Sequence, residues 1–259
     1  MSVAVAAIYR YPVKGLSPEP LARAMLTAGE CLPSDRRFAI ARASTRFDPA
    51  QPAWLPKTDF FMLMRDATLA QLQTGFDECS GLFTIARNGQ ALLRARLTDG
   101  AGRAAIDAFF AEFLKDSPGH PPRVVEAPGH AFSDARQKPG STTYKYVSLV
   151  NLAAVGELEK VVRIPVDPLR FRANFYLSGL PAWDELDWVG SEIRVGNARL
   201  RVVSPITRCA ATSVNPATAM RDLNTPAILQ KEFGHNFMGV YAEVAGSGEV
   251  ARDDPLILL

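Results

Sequence analysis

The strongest constraint on the fold of this chain lies between Ile193 and Val203. Ile193 and Val195, then Ala198, Leu200 and Val202, alternate with polar neighbours on either side of Gly196-Asn197. Strict alternation puts one set of side chains on one sheet face, and a glycine-asparagine pair readily takes the backbone angles of a two-residue hairpin turn. The segment therefore predicts an antiparallel hairpin. Period-two runs recur at Val3–Tyr9, Leu21–Leu26, Phe38–Arg42, Leu82–Arg87 and Ala91–Leu97, the last two joined at Asn88-Gly89. Further strands are predicted at Tyr146–Val150, Phe171–Leu177 and Phe237–Val244, with a turn at Gly246–Gly248 leading to the apolar Leu256–Leu259.

Helical spacing is rarer. Ile106, Phe109, Phe110, Phe113 and Leu114 recur at three and four within Ala101–Leu114, the pattern of an amphipathic helix. Asn151 can cap a second helix with the face Leu152, Val155, Leu158 and Val162, ended by Pro165 and Pro168, and Pro226–Phe233 can form a third. Thr45–Thr58 holds three prolines and reads as an irregular loop, and Ala127–Thr143 is polar and turn-rich. At 259 residues the chain has room for one large or two small domains. Ser117-Pro118-Gly119-His120-Pro121-Pro122 breaks it, which places a boundary between residues 1–122 and 123–259.

Composition excludes several function classes. Hydrophobic residues make up 47% and charged residues 22%, values of an ordinary globular protein. A net charge of +2 gives no bulk field for non-specific nucleic-acid binding, so any anion site must be local. The longest stretch free of Asp, Glu, Lys and Arg is Cys209–Met220, far short of a membrane span. Met1–Tyr9 lacks a basic leader and runs into Arg10-Tyr11-Pro12, so a strand in a cytoplasmic protein is expected. Nucleotide-loop, zinc-protease and serine-hydrolase signatures are absent. His120, His130 and His235 are too scattered for a triad or metal cluster, and Asp253-Asp254 before Pro255 reads as a solvated turn.

Two features carry chemistry. Lys14, Arg36-Arg37, Arg170, Arg172 and Arg208 lie at predicted strand ends and turns, where arginine can grip phosphate with its planar fork and lysine can add a point charge. Cys209 follows Pro205-Ile206-Thr207-Arg208 at a strand end and precedes the turn Val214-Asn215-Pro216. A guanidinium beside it would favour the thiolate, the form that attacks electrophiles or binds a soft metal. Cys31 and Cys79 read as small buried apolar residues whose neighbours Glu30 and Glu78 keep them protonated. Three cysteines with no CxxC pair exclude a disulfide framework, a zinc ribbon and a four-thiolate cluster.

These residues together resemble the MOSC superfamily, the domain of molybdenum cofactor sulfurase carboxyl-termini. Tyr9-Arg10-Tyr11-Pro12-Val13-Lys14-Gly15 and Asp35-Arg36-Arg37-Phe38 are similar to the opening of two-part members with an N-terminal β-barrel domain. That group includes the mitochondrial amidoxime-reducing component and its bacterial relatives. Phe171-Arg172-Ala173-Asn174, Trp183 to Trp188-Val189-Gly190, and Arg208-Cys209 with Thr212 and Val214-Asn215-Pro216 are similar to the core domain.

The resemblance implies a mainly β (α+β) protein: an N-terminal β-barrel-like domain over 1–122 and a β-barrel MOSC domain over 123–259 with a few short helices. It implies a molybdenum cofactor of the molybdopterin type with Cys209 as metal ligand and catalytic centre. Lys14, Arg36 and Arg37 would face its phosphate and pterin, Arg172 and Asn174 would line the pterin, and Thr207 and Arg208 would flank the ligand. Ser148 and Asn151 occupy a segment that also contacts cofactor in the family. Pyridoxal phosphate binding is a further family association. The family often has a cysteine where this chain has Ile206, and Thr218-Ala219 replaces a common Thr-Gly, so metal ligation suits Cys209 better than two-thiol sulfur handling.

The expected activity is reduction of N-hydroxylated small molecules. No flavin or nicotinamide fingerprint is visible, so electrons are expected from a separate ferredoxin-type protein or flavin reductase. A non-catalytic carrier of the cofactor or its sulfur is the alternative, and no nucleic acid or membrane partner is expected.

Overall fold

A computed structural model describes residues 3–135 and 144–259; part of the turn-rich segment expected at Ala127–Thr143 lies outside them. In chain order the strands are β1 (Ala4–Arg10), β2 (Glu19–Leu21), β3 (Arg23–Leu26), β4 (Phe38–Ala41), β5 (Gln73–Asp77), β6 (Leu82–Arg87) and β7 (Gln90–Arg96). Helix α1 (Gly100–Phe113) precedes β8 (Arg123–Glu126), β9 (Tyr146–Asn151), α2 (Leu152–Val162), β10 (Phe175–Ser178), β11 (Glu192–Val195) and β12 (Ala198–Thr207). Helix α3 (Thr225–Phe233), β13 (Phe237–Gly246), β14 (Gly248–Ala251) and β15 (Leu256–Leu258) complete the order.

Eight strands form one sheet in the order β15-β11-β12-β13-β9-β10-β1-β2. Toward its β15 edge lies the predicted hairpin β11–β12, in register Val195 to Ala198 and Ile193 to Leu200. All pairs are antiparallel except β9 with β10, which α2 connects as a crossover. Asn151 starts α2 by accepting from Ala153 N at 3.0 Å, and Arg163 ends it in the left-handed conformation. Inward residues of one sheet face, among them Val5, Ile8, Leu149, Leu177, Leu200 and Val240, make one core. Val155 and Leu158 of α2 and Leu229 of α3 pack with Val150, Tyr176 and Met238 in another.

Three smaller sheets are β5-β6-β7, β4-β8, and β3-β14, the last pairing Arg23–Leu26 with the carboxyl-terminal Gly248–Ala251. Ile106 and Phe110 of α1 pack with Phe38, Phe61, Phe76, Phe83 and Ile85. Full burial of such a side chain is worth about 1.5–3 kcal/mol. Asp99 caps α1 by accepting from Gly102 N at 2.7 Å.

The barrel expectation is overturned: among the described residues no sheet closes on itself. The large sheet is open, ending in β2 and β15, which are three residues each. The bridge Ala4 to Pro255, with backbone bonds from Val5 to Asp253 and Asp254 and between Val3 and Leu256, ties the start of β1 to the segment at β15, but the two are not paired as strands of the sheet. Closure needs the edge strands paired along their length, and β2 and β15 are not paired with each other. The strand expected at Phe171–Leu177 is also shorter. Pro168–Phe171 forms a 3-10 turn, Arg172 takes a left-handed conformation with φ 51°, and the strand begins at Phe175.

Candidate functional site

A cleft opens where β12 ends, β10 begins and the segments after β1 and before β4 meet the large sheet. Its lining includes Lys14, Arg36, Ser148, Arg172, Asn174, Thr207, Arg208 and Cys209, eight of the residues expected at the site. Two others lie elsewhere. Arg37 lines a neighbouring hollow, donates to Glu126 at 2.7 Å and stacks over Phe38. Asn151 is fully buried, where it caps α2 and donates to Pro181 O at 2.6 Å and to Glu185 Oε2 at 3.0 Å.

The cleft lies beside tight turns. Gly15 has φ +85°, and a Cβ there would stand 3.1 Å from Phe61 O, so glycine lets the chain turn after Lys14. Lys14 is buried, donates to Phe132 O at 3.0 Å and pairs with Asp134. Burial lowers the Lys14 pKa and Asp134 opposes that shift. Burial would raise the Asp134 carboxyl, but Lys14, then Arg36 and Arg172, hold it at about 2. Arg36 pairs with Asp35 at 2.5 Å and donates to Arg172 O at 2.9 Å. Burial works against the Arg36 charge, and the Asp35 carboxylate outweighs it to raise the pKa.

On the facing side Arg172 donates to Leu16 O at 2.7 Å. Arg208 donates to Phe171 O at 2.8 Å and from Nε to Met238 O at 2.9 Å. Neither has a direct ion-pair partner among the described residues; burial lowers both pKa values, with Asp134 and Asp35 opposing the shift at Arg172, and guanidinium stays charged. Ser148 and Asn174 satisfy each other: Ser148 Oγ donates to Asn174 Oδ1 at 2.9 Å and accepts from Asn174 N at 3.0 Å. Asn174 Nδ2 donates to Tyr9 O at 3.1 Å, tying β10 to β1 at the floor of the cleft.

Cys209 is half-buried and its backbone is braced. Arg208 N donates to Asn236 O at 2.9 Å, and Cys209 O accepts from Thr212 N at 3.0 Å and Thr212 Oγ1 at 2.9 Å. Arg170 holds the following turn by donating to Ser213 O at 3.3 Å and pairing with Asp222 at 2.7 Å. Cys209 thus lines the cleft from a braced loop, in company with its cations.

The lining holds seven cations, Lys14, Arg36, Lys57, Lys145, Arg170, Arg172 and Arg208, against two carboxylates, Asp35 and Asp134. That excess of five exceeds the +2 of the whole chain. Glu30, paired with Lys145 at 2.6 Å, and Asp222, paired with Arg170, lie outside the lining and reduce it to three. Sequence reasoning missed Asp35, Asp134, Lys57, Lys145, Cys31 and Tyr241 as lining residues. Asp35 was visible beside Arg36; the others carried no signal. Burial, then Asp35 and Glu30, push the Cys31 thiol up to about 12, whereas Cys79 is exposed rather than buried.

Among the described residues no three His, Cys, Asp or Glu side chains gather to hold a metal by themselves. The donor set is one thiol surrounded by anion-binding groups. It fits a metal that arrives with most of its ligands on an anionic organic carrier, and does not fit a bare ion bound by protein alone.

The MOSC domain model matches residues 130–257, from beside Ala131 and Asp134 to the last strand. The chain belongs to the MOSC superfamily. Among curated proteins none matches it. Among solved structures, YuaD from Bacillus subtilis is similar at 12% identity and TM-score 0.46, with 99% of this chain and 94% of that one covered. YiiM from Geobacillus stearothermophilus is similar at 23% identity and TM-score 0.35, covering 44% of this chain and 53% of that one. YiiM from Escherichia coli is similar at 18% identity and TM-score 0.33, with coverage of 44% and 53%. This MOSC protein has no described helix long and apolar enough to cross a membrane.

Proposed function

We propose that this MOSC protein is a molybdenum-cofactor oxidoreductase that reduces N-hydroxylated compounds, taking electrons from a separate redox protein. Some members of the superfamily bind a molybdenum cofactor. The observation that carries the proposal is Cys209, a single thiol on a braced loop in a cleft with an excess of cations. Cys209 would hold the metal. Arg172, Arg208, Lys14 and Arg36 would hold the phosphate and pterin, while Ser148 and Asn174 keep the cleft floor in register. When bound, the cofactor supplies two-electron oxygen chemistry; the protein supplies orientation and electrostatics.

The reaction balances as R–NHOH plus two electrons and two protons giving R–NH2 and water. Arg172 and Arg208 are held by backbone carbonyls and have no ion-pair partner among the described residues, so they favour an anionic cofactor without reorganising. Tyr241 lines the cleft, and burial, then Asp134, push its hydroxyl up to about 12, so it stays protonated at neutral pH and can donate a hydrogen bond. Met62, Leu63 and Met64 give one lip an apolar lining that can shield a substrate from water.

The test is turnover. Protein purified from a host that makes the cofactor, chemically reduced and offered an N-hydroxylated base, should yield the reduced base. Bound cofactor without turnover would instead establish a carrier.

A further inference from the structure

Tyr11 is fully buried, yet its surroundings are unusual for a core tyrosine. The Arg36 and Arg172 guanidinium carbons each stand 4.3 Å from its ring centroid. Both arginines have left-handed backbones, with φ 50° and 51°, a conformation that non-glycine residues keep only where their surroundings hold it. Tyr11 helps to hold it at Arg36. Its carbonyl accepts from Arg36 N at 2.8 Å, and its own N–H donates to Asp35 Oδ1 at 2.7 Å, the carboxylate that pairs with Arg36. Arg36 then donates to Arg172 O at 2.9 Å.

Two like charges so placed repel each other. Asp35 and Asp134 offset part of that repulsion, and the π face of a desolvated ring adds to them, because its quadrupole is negative over the face. The hydroxyl lies beside that of Tyr176 and away from both guanidinium hydrogen bonds. Among the described residues it finds no partner in good hydrogen-bonding geometry, and the neighbouring Tyr176 hydroxyl donates to Pro168 O at 3.0 Å.

We propose that Tyr11 is a positioning residue: its ring holds Arg36 and Arg172 together at the cleft and so sets the affinity of the cleft for a phosphate-type anion. This rests on the cleft being the anion-holding site proposed above, but not on molybdenum or turnover. The probe is inorganic pyrophosphate, with binding to the cofactor-free full chain measured by calorimetry. Tyr11→Phe should bind within about twofold of wild type, and Tyr11→Leu should bind roughly tenfold or more weakly. Arginine Nε–H resonances should be shifted by the ring in wild type and in Tyr11→Phe, and should lose that shift in Tyr11→Leu.

If Tyr11→Leu fails to fold, fluorinated phenylalanines at position 11 keep the shape while weakening the quadrupole. Affinity should then fall stepwise with each added fluorine. The proposal is overturned if wild type does not bind pyrophosphate, if a folded Tyr11→Leu binds it as wild type does, or if affinity is flat across the fluorinated series. Should the protein never acquire molybdenum while these pyrophosphate results hold, the oxidoreductase proposal fails and the role of Tyr11 stands.

Discussion

The two walls of the cleft handle positive charge in opposite ways. On the wall of Lys14 and Arg36 each cation is matched by a carboxylate, Asp134 and Asp35. On the wall of Arg172 and Arg208 the guanidinium groups are fixed by the carbonyls of Leu16, Phe171 and Met238, which satisfy hydrogen bonds without cancelling charge. The first wall is close to neutral and the second carries the field. Counting basic residues therefore overstates one half of such a site, and their counter-ions decide which of them can still attract an anion.

Substitutions on the two walls should behave differently. The largest effect is expected from Arg172→Ala, which removes a charge with no direct ion-pair partner among the described residues. A charge-assisted hydrogen bond is worth about 1.5–3 kcal/mol, so pyrophosphate affinity should fall by roughly ten- to a hundredfold. Lys14→Ala should lose less, because Asp134 already neutralises it. Equal losses at the two positions would break the distinction.

Asp134→Asn should act in the opposite direction. Removing the neutralising carboxylate should raise anion affinity by about tenfold, or ~1.4 kcal/mol, measured by the same titration. The Asp134 side chain keeps 43% of its exposure, so solvent screening limits the accompanying loss of stability. Its pKa is held at about 2 against an ordinary 3.8, so its stabilising contribution is present above about pH 4 and is lost as pH falls toward 2. Acid denaturation of Asp134→Asn should be flatter than wild type over that window. A steeper profile would contradict the pairing.

The smallest effect concerns the join between the walls. Arg221 donates to Ala210 O and to Leu63 O and Met64 O, each at 2.8 Å, linking the Cys209 loop to the apolar lip. Arg221→Ala should raise the alkylation rate of Cys209 by a few-fold, followed by mass spectrometry with Cys79 substituted, as expected when a local contact worth about 1 kcal/mol is lost. An unchanged rate would show that the lip does not guard the thiol.

What could be read from residues alone depended on how local the signal was. The β11–β12 hairpin and α1 follow from spacing, because periodic burial on one face is a local property. Strand β5 was not legible: Gln73–Asp77 contains Gly75 and buries Phe76 alone. Strand β8 follows directly on Pro121-Pro122, where a chain break was the stronger signal. Barrel closure was misjudged because it depends on pairing between distant edges, which three-residue strands do not provide.

At the site, side-chain type pointed to Cys209 and to the cations, and the fold brings most of them together. Their neutralisation was not legible, since Lys14 and Asp134 are 120 residues apart. Arg37 and Asn151 look equivalent to their neighbours in sequence, yet one turns to Glu126 and the other into the cap of α2. Only the course of the backbone distinguishes them.

The most direct test is the molybdenum content of protein from a cofactor-competent host, wild type beside Cys209→Ala, with folding checked by circular dichroism. Outer partners of a metal ligand alone are worth about 10–100-fold in affinity, so loss of the ligand itself should strip most of the metal from a chain that still folds. Stoichiometric molybdenum in wild type and a near-empty Cys209→Ala is the predicted result. A fully loaded Cys209→Ala, or a wild type that never acquires molybdenum, would contradict it.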